Sequence, residues 1–181
     1  NYRSIFVNPN QTDGEAIFIK GIVKEGSEFA SSLNYFIEPY QTQGQGKMSP
    51  ALNLVDAYEM KDGTPFDWNN PTHVANMYYD ASNKETRDPR LYKNVLTNGS
   101  IWQKQKVEIF EGGKNKILDG STKTGYYLRK YMNPSVSLDP DKPNKLYHHY
   151  VLFRYAEILL NYAEAMNEWK GPDATAEGCP L

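Results

Sequence analysis

The stretch 153–172, FRYAEILLNYAEAMNEWKGP, decides how the rest of the chain is read. Polar residues fall at 154, 157, 161, 164 and 168, alternating steps of three and four, which is one stripe of an α-helix. Apolar residues occupy a second stripe at 152, 155, 159, 162, 166 and 169 and a third at 153, 156, 160 and 163. The spacing predicts a helix over 150–170, apolar around well more than half of its circumference and stopped by Gly171-Pro172. Such a helix needs cover on two sides, and only nine residues follow Pro172. The expectation is therefore a chain that forms part of a larger fold.

Upstream, the pattern is looser. AIFIKGIV at 16–23 is β-branched and apolar and reads as a short strand. SSLNYFIEPYQTQGQGKMSP at 31–50 is broken by Pro39, Gly44, Gly46 and Pro50 and reads as a long loop. SPALNLVDAYEMKDG at 49–63 predicts a helix capped by Ser49, with Pro50 in its first turn and Gly63 ending it. Helical turns are expected around 90–95 and a tight turn at Asn98-Gly99. A β-hairpin is expected near 107–118, turning on Gly112-Gly113, and a strand at 126–132. The prolines at 134, 140 and 143 exclude regular structure between that strand and the last helix.

Composition bounds the function. The chain has 181 residues, and its 13% aromatic content leans on 14 Tyr. With 20 basic against 22 acidic residues it lacks the cationic footprint that binding to a nucleic-acid backbone requires, so no nucleic-acid partner is expected. The most apolar run, 151–169, carries Arg154, Glu157, Asn161, Glu164 and Glu168 and is no transmembrane span. Cys179 alone forms no internal disulfide, and with only His73, His148 and His149 beside it no cysteine-based zinc site is assembled. No cofactor and no metal are expected.

Several motifs have a chemical and a structural reading. GQGKMS at 44–49 departs from a phosphate loop, because Gln41 and Met48 stand where Gly and Ser or Thr are needed. Asp56, Glu59, Asp62 and Asp67 could supply the acid and base of a glycoside hydrolase, but solvated turn carboxylates are the simpler reading. Adjacent His148 and His149 point in different directions, and one buried, hydrogen-bonded ring beside a solvated one is expected. RDPRLY at 87–92 suggests an ion pair anchoring a loop to the core. The sequons at 10–12 and 98–100 decide nothing without a secretory setting.

The aromatics point elsewhere. Trp68 in PFDWNNP, Trp102 in NGSIWQKQ, and Tyr40 and Tyr79 in polar loops are rings set among amides and carboxylates. Sugar recognition uses that combination: the ring stacks on the apolar face of a pyranose while polar neighbours bond its hydroxyls. Trp68, Trp102, Tyr40 and Tyr79 are therefore the candidate glycan-binding residues, against the alternative that they cover a core poor in aliphatic side chains.

Five blocks, in order, resemble the SusD/RagB family: SPALNLVDAYEMKDG at 49–63, RDPRLY at 87–92, NGSIW at 98–102, TGYYLRKYMNP at 124–134 and FRYAEILLNYAEAMNEWKGP at 153–172. The resemblance implies a mainly α fold with tetratricopeptide-like helices and a loop-rich subdomain with short strands. On that reading 1–149 is the loop-rich part and 150–170 the first helix of a tetratricopeptide-like pair. It also implies a non-catalytic, surface-exposed lipoprotein of the Bacteroidetes outer membrane. Such a protein takes oligosaccharide or polysaccharide as partner and passes it to a SusC-like TonB-dependent transporter. The lipidated Cys and the early helices of the family are not in this sequence, so the expectation is an internal or C-terminal-half segment, anchored through a lipid outside it. Two other readings stay open: a glycoside hydrolase using the 56–67 carboxylates, and a helical-repeat scaffold for protein partners.

Overall fold

The computed structural model describes residues 2–7, 14–22, 28–116, 121–142 and 148–171, with the side chains of 22, 28–32 and 148 set aside. The sequon at 10–12, the end of the expected hairpin at 117–118 and Cys179 lie outside the described residues. In chain order the elements are α1 (Ser4–Val7), β1 (Ala16–Ile22), α2 (Glu28–Ile37), a 3-10 turn (Tyr40–Thr42), α3 (Leu52–Asp56), α4 (Pro71–Ala75) and α5 (Pro89–Asn94). There follow β2 (Val95–Leu96), β3 (Ile101–Trp102), β4 (Gln105–Lys106), β5 (Tyr127–Leu128), β6 (His148–Arg154) and α6 (Tyr155–Lys170). The chain divides into two compact units, one of residues 1–23 and 148–181 and one of residues 24–147.

In the first unit β1 pairs antiparallel with β6, Ile19 opposite Val151 and Ile22 opposite His148. His149 is buried, and its Nε2 donates to the Ile5 carbonyl at 3.0 Å, which fixes the Nε2–H tautomer at that bond. Arg154 closes the ladder, pairing with Glu15 at 2.9 Å and lying over the Phe6 ring. The helix expected from 150 begins at Tyr155; residues 148–154 form strand instead, where the β-branched and aromatic run HHYVLFR satisfies its backbone against β1. No residue of α6 is buried, so its apolar stripes, with Leu160 65% and Trp169 76% exposed, lack the cover their pattern calls for.

The second unit has two small cores joined by the β2–β5 pair. Successive side chains of a strand point to opposite faces. Val95 and Tyr126 accordingly enter a cluster with Val55, Leu91 and Tyr92, while Leu96 and Tyr127 enter another with Leu33, Ile37, Trp102, Val107 and Met132. The expected loop at 31–50 is half helix. Leu33 and Ile37, one turn apart on α2, bury into the second cluster, and this local period is masked in the sequence by the polar residues between them.

The helix expected over 49–63 shrinks to α3, because Met60 leaves it to bridge Arg87 in an extended pairing. Ser49 is not its cap: the hydroxyl donates to the Gly46 carbonyl, and Ala51 holds the cap position. No strand forms between 107 and 116. The Asn115 amide side chain accepts from Glu108 N while Asn115 N donates to Glu108 O, closing the loop without a ladder. The two-residue hairpin lies earlier, at Gln103-Lys104 between β3 and β4, both residues at positive φ. Of the strand expected at 126–132, only Tyr127–Leu128 pairs, and Tyr131 turns the chain at φ 68°.

Arg87 organises the unit. Its guanidinium is 1% exposed and donates to the carbonyls of Val55, Asp56, Tyr58, Glu59 and Met77, with the Phe66 ring 4.1 Å from its Cζ. Val55 and Asp56 stand at the C-terminal end of the short α3, where the Asp56 carbonyl has no backbone donor among the described residues and that of Val55 accepts from Tyr58 N. The ion pair anticipated in RDPRLY is a different one: exposed Arg90 with Asp88, whose carboxylate also caps α5 by accepting from Arg90 N. Tyr92 completes the corner, accepting from Thr86 N and Arg87 N and donating to the Tyr78 carbonyl.

The glycines of GQGKMS serve packing. A Cβ on Gly44 would stand 2.1 Å from the Glu38 carbonyl oxygen, and one on Gly46 2.5 Å from the Tyr127 ring. Glu38 itself is fully buried, bonded by Asn34 and approached by Gln103, with Thr42 and Trp102 also facing its carboxyl group. Burial raises its pKa above 4.5, and those hydrogen bonds offset part of the rise.

Two measurements test this anatomy. Arg87→Met leaves buried carbonyls unpartnered and should cost at least about 3 kcal/mol in urea unfolding, with Arg87→Lys recovering only part of it. A carboxyl group whose folded pKa is raised favours the fold below its unfolded value of 4.5 and loses that contribution as pH rises through the folded value. Glu38→Gln should therefore raise the thermal midpoint by about 2–4 °C at neutral pH. The difference from wild type should vanish below pH 4.5.

Candidate functional site

A cleft of about 430 Å³ opens in the second unit, lined by Tyr79, Asn83, Glu85, Gly99, Ile101, Lys106 and Arg129. A neighbouring cleft of similar volume shares Tyr79, Asn83, Gly99 and Lys106 and extends towards Val74, Asp80, Glu108 and Phe110.

Local rules place these side chains. Tyr79 bridges Glu85 across a turn in which the Asp80 carboxylate accepts from Ser82 N at 2.7 Å and Lys84 N at 2.9 Å. Asn83 takes the left-handed conformation at φ 58°, which Asn tolerates better than most residues. The same turn thus delivers Asn83 and Glu85 to one wall. Gly99, at φ 90°, supplies the opposing backbone; a Cβ there would lie 3.4 Å from the Tyr79 ring. Lys106 comes from β4, opposite Ile101. Arg129 follows β5, and its Nη1 donates to the Tyr92 carbonyl at 2.8 Å, which fixes the guanidinium plane.

Tyr79 is half-buried, its ring 5.4 Å from that of Tyr92 and its hydroxyl 3.1 Å from Ser100 Oγ. Burial pushes the Arg129 guanidinium down from its ordinary value, and the neighbouring Tyr79 and Glu85 counter that shift. Its Nε is buried without a hydrogen-bond partner. The cleft therefore combines an aromatic ring, an amide, a carboxylate and two cations around a space that fits a sugar ring or two.

The four candidate aromatics part company. Tyr79 lines the cleft. Tyr40 is 68% exposed at the start of the 3-10 turn, and Trp68 is 48% exposed in its loop; neither lines the cleft. Trp68 is held edge-on to Phe66 at 5.1 Å, and its Nε1 donates to Asp56 Oδ2 at 2.9 Å, which leaves a fixed ring on the surface. Trp102 corrects the expectation: at 1% exposure it is part of the core with Leu33 and Val107 and offers no face to a ligand. Its polar sequence neighbours belong to the hairpin's turn and outer face, so the local sequence misrepresents where its ring goes.

Three of the four carboxylates at 56–67, all but Glu59, are committed locally. Asp56 holds the Trp68 indole, Asp67 accepts from Asn69 N, and Asp62 accepts from Thr64 N and Oγ1. Those bonds from Thr64 lower the Asp62 pKa, opposite to the shift a general acid needs. Among the described residues no group of three or more His, Cys, Asp or Glu could hold a metal ion, and no helix is long and apolar enough to cross a membrane.

Asn83, Glu85, Lys106 and Arg129 escape sequence reasoning because they come from three separate segments. The one trace they leave is an arginine set among tyrosines in YYLRKYM.

The SusD family model matches residues 14–178. Two solved structures from Bacteroides fragilis are similar. A SusD-like carbohydrate binding protein is 26% identical with a TM-score of 0.71, over 93% of this chain and 32% of that one. A SusD-like protein is 25% identical with a TM-score of 0.66, over 96% and 36%. The chain thus spans about a third of the length of either structure. No curated protein matches it.

Truncation separates the two tryptophans. Trp102→Ala should cost about 3–5 kcal/mol in chemical unfolding, whereas Trp68→Ala should stay within about 1 kcal/mol of wild type. Acrylamide should quench a smaller fraction of the emission after Trp68→Phe and leave the Trp102 component protected.

Proposed function

The chain belongs to the SusD family, and from that premise we propose that it captures oligosaccharide or polysaccharide without cleaving it. Capture takes place at the bacterial cell surface, on a lipid-anchored outer-membrane protein. The glycan then passes to a SusC-like TonB-dependent transporter for nutrient uptake. Family membership supports these last steps, and the similar structure described as a carbohydrate binding protein supports the ligand class.

One observation carries the reading within this chain. Tyr79 sets an aromatic ring beside side chains able to donate to and accept from hydroxyls, in a cleft open to solvent. Trp68 and Tyr40 are further exposed rings along which a longer glycan could be followed. The fate of Asp56, Asp62 and Asp67 favours binding over hydrolysis, since each hydrogen bond they accept stabilises a turn or a ring.

Affinity electrophoresis against a polysaccharide panel, followed by calorimetry on the retarding glycans, tests the proposal. Tyr79→Ala should weaken binding about tenfold, the loss of one stacked ring, and lower the thermal midpoint through its lost packing on Tyr92, with the chain still folded at the temperature of the binding assay. Trp68→Ala should weaken long glycans more than short ones. Absence of retardation across the panel, or reducing ends released on incubation, would overturn it.

A further inference from the structure

The polar lining of the cleft is unspent. No hydrogen bond or ion pair among the described residues engages the side chains of Asn83, Glu85 or Lys106, although all three face the same space as Arg129. Arg129 uses only Nη1, on the Tyr92 carbonyl, and its Nη2 makes no hydrogen bond. An Nη2–H of a half-buried guanidinium donates a charge-assisted hydrogen bond to a carboxylate or sulfate oxygen. The neighbouring acid Asp80 is already taken by Ser82 N and Lys84 N, and Glu108 lines only the adjoining cleft. Within the inner cleft two cations therefore face a single carboxylate, Glu85.

We propose that this inner cleft selects acidic glycans, taking an anionic substituent of a pyranose ring, a carboxylate or a sulfate ester, between Arg129 and Lys106. Glu85 and Asn83 then bond hydroxyls of the same or the next ring, and Tyr79 lies against an apolar ring face. The inference rests on the glycan reading above and narrows it to a charge class. Its physical basis is desolvation: a half-buried guanidinium without an anionic contact is costly, and a bound anion offsets that cost where a neutral sugar does not.

The test compares oligogalacturonate, a sulfated oligosaccharide and a neutral galacto-oligosaccharide of matched length, by calorimetry on the wild-type chain. At least one anionic ligand should bind about tenfold more tightly than the neutral one, and the preference should shrink as salt is raised. Lys106→Gln removes an exposed charge outside the core. It should cut the preference about threefold or more, the affinity for the anionic ligand falling further than that for the neutral one. Tighter binding of the carboxylate or of the sulfate assigns the substituent. Equal binding of neutral and anionic ligands, or a preference unmoved by Lys106→Gln, overturns the charge selectivity and leaves glycan capture standing. If none of the three ligands is bound and the polysaccharide panel is silent as well, both readings fall.

Discussion

Arg87 is a guanidinium buried without a carboxylate in contact, and the larger unit is arranged around making that tolerable. A charge taken out of water in this way is ruinous unless every donor finds an acceptor. Here the acceptors are backbone carbonyls of 55, 56, 58, 59 and 77, the first two at the C-terminal end of α3. One side chain thus satisfies a helix terminus, fixes the extended pairing of Met60 with Arg87 and presents its flat face to Phe66. Through Phe66 the same charge sets the Trp68 ring, so the surface aromatic inherits its position from the interior.

Glu38 meets the same difficulty with the opposite sign and a different remedy. It is ringed by neutral donors from α2, the 3-10 turn and the β3–β4 hairpin, none of which carries a compensating charge. Hydrogen bonds to neutral groups only partly offset burial, and the carboxyl group is held towards its protonated form. The contact still has a structural yield. Gln103, at positive φ in a two-residue turn lacking Gly or Asn, is tied to the Val136 carbonyl at 2.9 Å as well as reaching Glu38. These bonds stabilise a turn that its own residues disfavour.

How far the sequence could be read follows from which interactions were local. The turn at Asn98-Gly99 and the α5 segment behind Asp88-Pro89 are specified by adjacent residues and are present as expected, as is the strand at 16–22, whose β-branched run suits a strand before its partner β6 is known. The β3–β4 hairpin, the helix at 28–37 and the burial of Trp102 depend on partners far along the chain, Val136, Leu96 and Glu38 among them. For the site, Tyr79 was legible as a loop-borne ring among polar residues. Arg129 and Lys106 were not, because nothing in their neighbourhoods records that three separate segments meet. The long helix was read from its period, yet its first turn was misassigned, since HHYVLFR suits a strand as well as a helix until β1 is there to pair with it.

The hairpin at 101–106 also divides labour between its two faces. Trp102 points into the core and is bound to Leu33 and Val107, while Ile101 and Lys106, opposite each other, stand on the wall of the cleft. Because the period of a strand is two, a substitution at 101 or 106 changes what a ligand meets without altering the volume of the core. One face of four paired residues can therefore vary while the other keeps the unit folded.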